Sequence, residues 1–206
     1  MNKRKKALLI WIGLFAVLAA AGVFFSFILP KMTEDGDDGD TGIEYNYVDD
    51  YFYEKLWVPL ESRDDYEDYL DLDRNIYVAK GSVTTTMTGD NDSYFTEDEL
   101  FFKTYFEVLE AGDADAYNEL LSDAYKAEYG LKGAFTPQMT YDRTIEHAGT
   151  SYAGTVTYYT FNVYYKFFHN DGTFRSDVYS DAERAMQIVI DTSEGKLKIS
   201  SIQYYV

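Results

Sequence analysis

Apolar positions fall along this chain in three successive patterns. The first is an unbroken block. Residues 7–29 read ALLIWIGLFAVLAAAGVFFSFIL without a charge and are closed by Pro30. At 1.5 Å rise per residue, about twenty such residues cross a bilayer core of roughly 30 Å. The second pattern begins at Thr96 and has a helical period: Leu100, Phe101, Phe102, Tyr105, Phe106, Val108 and Leu109 recur three and four apart. The third begins after Pro137, where the period drops to two. Thr157, Tyr159, Phe161, Val163, Tyr165 and Phe167 alternate with Tyr158, Thr160, Asn162, Tyr164 and Lys166, which predicts a strand with one core face and one more polar face.

Turn and cap residues divide these patterns into elements. Thr96 and Glu99 have the spacing of a capping box, in which the hydroxyl takes an orphan N–H and the carboxylate reaches back to the cap. Gly112 fits a left-handed helix terminator, and Asp113 caps a second helix predicted over residues 114–129, with Gly130 and Gly133 beyond it. The tight Ala-Gly-Asp link makes an αα corner. Strands are predicted over 140–147 and 155–168. Asn170-Asp171-Gly172 then reads as a hairpin turn, followed by a return strand over 173–179 and 185–191 interrupted near 180–183. Ser193-Glu194-Gly195 turns the chain into a last strand over 196–206. Four antiparallel strands in series make a meander with one face for helices and the other for water or a partner.

Upstream, residues 31–42, KMTEDGDDGDTG, read as a flexible acidic linker. Their aspartates do not follow calcium-loop spacing, and neither do Asp71, Asp73 and Asn75, because Ile76 and Ser82 stand where Gly and Glu are needed. Residues 43–95 form an acidic, aromatic, partly ordered segment. It includes a short amphipathic helix around Tyr45–Trp57 that packs back onto the domain, and one or two short strands over 75–79 and 82–88 with Gly81 as a kink.

Charge gives the apolar block its direction. Lys3, Arg4, Lys5 and Lys6 stand directly before it and hold that end in the cytoplasm, so everything from Lys31 onward is extracytoplasmic. The organisation expected is a cytoplasmic tail (1–6), a transmembrane signal-anchor helix (7–30), the linker (31–42), the acidic aromatic segment (43–95) and a folded domain (96–206). The competing reading is a cleaved signal peptide with small residues at 19–21. The apolar run exceeds the roughly 7–15 residues of a signal core and continues through Phe24, Phe25, Phe27 and Ile28.

The chain carries a formal charge of −18, and the four bases of the tail leave −22 on the remainder. Such a surface opposes nucleic acid, whose binders need basic stripes, and gives no adhesion to anionic lipid. Weak binding of cations or basic polymers through that surface is compatible with it. There is no cysteine, hence no disulfide, lipoprotein anchor or thiolate metal site, which fits a bacterial extracytoplasmic protein held by its core alone. The 21 Tyr and 14 Phe can supply that core.

Helices followed by long antiparallel strands give an α+β architecture. The stretch FFKTYFEVLEAGDADAYNELLSDAYKAEYG resembles the opening helices of nuclear-transport-factor-2-like domains, and AMQIVIDTSEGKLKISSIQYYV resembles that family's terminal hairpin. The likeness covers residues 96–206 and rests on element order and the helix junction. It implies a cone of helices packed on a curved sheet, a fold that carries ketosteroid-isomerase-like and SnoaL-like enzymes and also non-catalytic scaffolds. Members with one N-terminal membrane helix are similar to inner-membrane assembly components of secretion and conjugation machines.

Candidate chemistry is sparse. His147 ends a strand beside Glu146, but adjacent strand residues point to opposite faces and cannot share a site. His169 adjoins the predicted turn. Asp123, Glu128 and Asp142 are the carboxylates in the region where isomerase-like relatives carry a base, and none stands out. Phosphate loops, nucleophile elbows and zinc-protease helices are absent. No catalytic, cofactor or metal residue is assigned. Tyr158, Tyr164 and Tyr204 are the candidate interface. The expectation is a non-catalytic, membrane-anchored module that binds a protein partner or itself in an envelope complex. The alternative is a small-molecule pocket or an isomerase-like enzyme in the cone, marked by a buried carboxylate of raised pKa.

Overall fold

The computed structural model describes residues 57–205. The tail, the apolar block, the linker and the tyrosine cluster at 45–53 lie outside the described residues, as does the question of an anchor. Among the described residues no helix is long and apolar enough to cross a membrane. Along the chain come α1 (Tyr66–Leu70), β1 (Ile76–Lys80), β2 (Val83–Met87), α2 (Glu97–Ala111), α3 (Ala114–Leu120), α4 (Asp123–Tyr129), β3 (Thr140–Ala153), β4 (Val156–Phe167), β5 (Met186–Asp191) and β6 (Lys198–Tyr204). The fold is α+β, with a single curved sheet in the order β2-β1-β3-β4-β5-β6. All neighbours are antiparallel except β1 and β3.

α2 forms where its caps and period place it. The Thr96–Glu99 capping box is present, with the Glu99 carboxylate accepting the Thr96 N–H at 3.0 Å. Gly112 closes the helix in the left-handed conformation at φ 65°. Phe102, Tyr105, Phe106 and Leu109, at i, i+3, i+4 and i+7, are buried on one stripe. The sheet supplies Ile145, Phe161, Val163, Tyr165, Phe167, Ile188, Ile190 and Ile199 to the same cluster.

The helix predicted over 114–129 is two helices. Leu121 is extended and bridges Ile199 of β6, and the Ser122 N–H donates to Ile199 O at 2.8 Å. Ser122 Oγ then accepts the Tyr125 N–H and starts α4. A buried serine cap and a strand partner together outweigh helix continuation here.

The hairpin at Asn170-Asp171-Gly172 and the strand over 173–179 are not formed. Residues 168–185 are an irregular connection, and only β5 returns along β4. Side chains take the hydrogen bonds a ladder would have used. Asn170 Nδ2 donates to the carbonyls of Arg175 and Val178, and Asp171 accepts the Thr173 N–H. Phe174 and Val178, which give this segment its strand-like look, are buried as separate plugs in the core.

The sheet also begins upstream of residue 96. Gly81, at φ 61°, is the turn of a β1–β2 hairpin rather than a kink in a strand, and β1 lies beside β3 from Ile76 to Ala79. Leu60 and Tyr69 pack with Met139 and Tyr141 in a second small cluster.

Candidate functional site

The space between the helices and the sheet is filled by aromatic side chains. Phe102 meets Phe161 edge-on with ring centroids 4.8 Å apart, Phe106 meets Tyr165 at 5.4 Å, and Phe135 lies against Phe174 at 4.9 Å. The Tyr105 and Tyr165 hydroxyls are 3.3 Å apart inside this cluster. Burial drives the Tyr105 and Tyr117 phenols well above the ordinary tyrosine range and pushes Tyr165 up to about 12. Arg175 closes one side of the cluster. Its guanidinium sits 4.3 Å over the Tyr204 ring and donates to both carboxylate oxygens of Asp177.

An isomerase-like base would be a carboxylate held above its ordinary range. The carboxylates displaced here, Asp65, Asp73, Asp123 and Asp177, are all displaced downward. Buried Glu99 is committed to the α2 cap and to Lys80 at 2.7 Å, and buried Asp191 accepts from Ser193. The candidates from the sequence do not converge. Asp123 pairs with Lys126, Glu128 is exposed on α4, and Asp142 pairs with Lys166 at 2.8 Å. His147 lies against the Phe161 ring and meets Thr150 Oγ1, while Glu146, on the other face, accepts from Asn162. His169 is exposed and contacts Asp65 at 2.8 Å. Among the described residues no three His or carboxylate side chains gather as a metal site would require.

The strand register defines the outer face of the sheet. Tyr77, Ala79, Thr144, Glu146, Tyr158, Thr160, Asn162, Tyr164, Gln187 and Val189 share it, because directly paired residues stay on one side. A polar row crosses it: Asn162 donates to Glu146, Gln187 donates to Asn162, and Gln187 also donates to the Tyr205 hydroxyl at 2.8 Å. Tyr158 and Tyr164 stand on this face as expected. Tyr204 does not. It is paired with Met186 on the helix side, because a register shift between Val189 and Ile190 leaves Ser200 unpaired and inverts the alternation of β6.

The outer face carries few charges. Between Glu146 and Lys166 there is no Asp, Glu, Lys or Arg, although 36 acidic and 18 basic residues are spread over the 206. This stretch is the distal part of the β3–β4 hairpin, whose tip extends past the last β1 pairing at Glu146 and the last β5 pairing at Tyr158. Tyr152 near the tip is 75% exposed. The charge gap could be read from the sequence alone and is the signal that counting aromatics there misses.

A second feature is a cleft of about 540 Å³ lined by Asp71, Leu72, Asp73, Arg74, Asn75, Glu110 and Arg143. Arg143, 5% exposed, donates to Thr140 O, to the Tyr69 hydroxyl at 3.0 Å and to Glu110, and lies over the Phe106 ring. Tyr69 donates to Glu110 at 2.6 Å. These bonds tie α1, the end of α2 and the start of β3 together, so the arrangement serves structure first. Nothing local in the sequence marks Arg143, since its side-chain partners Glu110 and Tyr69 lie 33 and 74 residues away.

A scan against protein-family models finds no match, and searches of curated proteins and of solved structures find none either.

Proposed function

We propose that this chain is a membrane-anchored extracytoplasmic protein whose nuclear-transport-factor-2-like domain binds a protein partner through the outer face of its sheet, and that it is an accessory of an envelope complex rather than an enzyme. The observation that carries this reading is the contrast between the two sides of the sheet. The helix side, where a ligand pocket would lie, is occupied by Phe102, Phe106, Phe161, Tyr105 and Tyr165. The other side presents Tyr158 and Tyr164 among threonine, asparagine and glutamine, with Glu146 the one charge in its polar row. Interfaces are enriched in tyrosine and depleted of charge at their centres. The basic tail and the apolar block of 7–29 support the anchor. The likeness to secretion and conjugation assembly components agrees with this plan.

The test is photo-crosslinking in the native cell, with a photoreactive residue at position 164 or, as control, at exposed Tyr179 on the 168–185 connection. A discrete adduct from 164 and none from 179 is expected. Equal yields from both positions would remove the outer face as the binding surface. The cysteine-free chain allows a parallel topology test. A single Ser193→Cys variant should react with a membrane-impermeant maleimide in intact cells, and failure to react until the cells are lysed would refute the extracytoplasmic placement.

A further inference from the structure

The two edges of the sheet are treated differently. β6 is covered at its start by Leu121, by the Ser122 N–H and by Lys198, which reaches the Glu119 carbonyl. β2, at the opposite edge, pairs only with β1 among the described residues, and its far end is met by one side chain, Asn91, which donates to Thr86 O at 2.8 Å and accepts the Thr88 N–H at 3.0 Å and which a pairing strand would displace. Folded proteins guard such an edge with charge, proline, a bulge or a covering element. From Gly81 to Gly89 the sequence is GSVTTTMTG, with no charge and no proline. The register with β1 runs from Ile76–Met87 to Lys80–Val83 without a bulge. Val83 is 62% exposed, and Thr84 and Thr85 are exposed beside it.

We propose that β2 pairs antiparallel with β2 of a second copy of this chain, about a two-fold axis through Thr85, so that the two sheets become one. The sequence of the strand is complementary to itself in this register. Val83 faces Met87 of the copy on the helix side, which covers an exposed apolar side chain with an apolar partner. Thr84 faces Thr86 on the outer side, a favourable cross-strand pair. The inner and outer alternation continues across the junction. A second copy is the occupant the charges favour. A partner recognised through its charge finds no counter-charge on residues 81–89, whereas two chains of −18 can approach each other best where neither carries charge. This pairing stands whether or not the outer face binds a separate protein.

The experiment uses the full chain in detergent micelles and in native membranes. Thr85→Cys places the only cysteine of the chain on the proposed axis, where directly opposite Cβ atoms come within about 4.5–5.5 Å, close enough for a disulfide after small adjustment. Mild oxidation should give a covalent dimer, and Thr155→Cys at the β3–β4 turn should not. The double variant Thr84→Lys/Thr86→Lys sets lysine against lysine and should sediment as a monomer. Mixing it with Thr84→Glu/Thr86→Glu should restore the dimer. A monomeric wild-type chain overturns the proposal, whatever else it captures, and so does a dimer that survives the double-lysine change with its circular dichroism intact. If that variant loses its sheet signal, the comparison of positions 85 and 155 decides alone, and equal oxidation yields refute the pairing.

Discussion

Alanine at position 112 should cost this domain more than alanine at Gly154, and the structure says why. Both glycines have left-handed backbones, with φ of 65° and 62°. That conformation alone costs an alanine about 1–2 kcal/mol. At Gly154 nothing lies within 4 Å of the added Cβ, so this is the whole effect. At Gly112 the Cβ would stand 2.5 Å from Pro137 N, 2.7 Å from the Thr136 carbonyl carbon and 2.8 Å from Pro137 Cδ. These atoms belong to the main chain or to a proline ring and cannot rotate away. Relief requires the 136–138 segment to retreat, yet the Gln138 N–H donates to Leu109 O at 2.9 Å and the Thr136 N–H to Thr173 Oγ1 at 3.1 Å. Stretching one such buried bond adds about 1–3 kcal/mol, for a total of about 2–5 kcal/mol. Urea unfolding of a fragment spanning 47–206 reads the difference. With a slope of about 2 kcal/mol/M, the Gly112→Ala midpoint should fall roughly 0.5–1.5 M below that of Gly154→Ala. Coincident midpoints would refute the steric argument and show that the segment carrying Pro137 can move freely.

Further outcomes follow from the same contacts. Burial raises the Asp65 pKa, but hydrogen bonds from Arg63 and His169 outweigh it and leave the carboxyl below its ordinary range. A depressed carboxyl stabilises the fold above its unfolded pKa and loses that contribution as pH falls through the folded value, so the stability gap between wild type and Asp65→Asn should close on acidification below about pH 4, as urea midpoints at several pH values will show. A gap constant from pH 6 to 3 would contradict this. Phe161→Ala removes a ring with 0% exposure that packs on Phe102 and should cost about 3–5 kcal/mol by the same assay. Near-ultraviolet titration should find Tyr125, Tyr141 and Tyr165, each pushed up to about 12, still protonated when exposed tyrosines have ionised at about pH 11. Finally, added salt should strengthen the β2-mediated dimer, because it screens repulsion between two acidic chains, and sedimentation showing weakening instead would point to a charge-paired interface.

The parts of this fold that could be read from sequence are those whose cause is local. The α2 cap, its 102, 105, 106, 109 stripe and Gly112 all lie within one segment, and the alternation of β4 needs only its own residues. The readings that failed depend on distant partners. The 114–129 helix breaks because Ile199, about 80 residues on, captures the Ser122 N–H. The 168–185 connection alternates like a strand only because Phe174 and Val178 are core plugs, and no neighbour is in register to make it one. Tyr204 changes face through one unpaired residue, Ser200, whose bulge no composition signal announces. β1 joins β3 in parallel across β2 and the three helices α2, α3 and α4, a pairing that local periodicity does not encode. Tyr158 and Tyr164 share a strand and so keep to one face, whereas the face of Tyr204, on another strand, is set by that bulge.

Charge connects the two surfaces proposed above. Basic residues are few, and many of them are spent internally. Arg143 is held by Glu110 and Tyr69, Arg175 by Asp177, Lys80 by Glu99, Lys166 by Asp142, and Lys198 by the Glu119 carbonyl. The acidic excess is thus left to the solvent-facing surface, where it repels every acidic neighbour, including a second copy. Two stretches escape that field, residues 81–89 along the β2 edge and the β3–β4 hairpin between Glu146 and Lys166. In a chain whose charges repel contact elsewhere, an uncharged edge and a tyrosine-bearing face with few charges are where association is least opposed. The repulsion confers selectivity. It limits the contacts this domain can make, and both permitted contacts run along the same sheet.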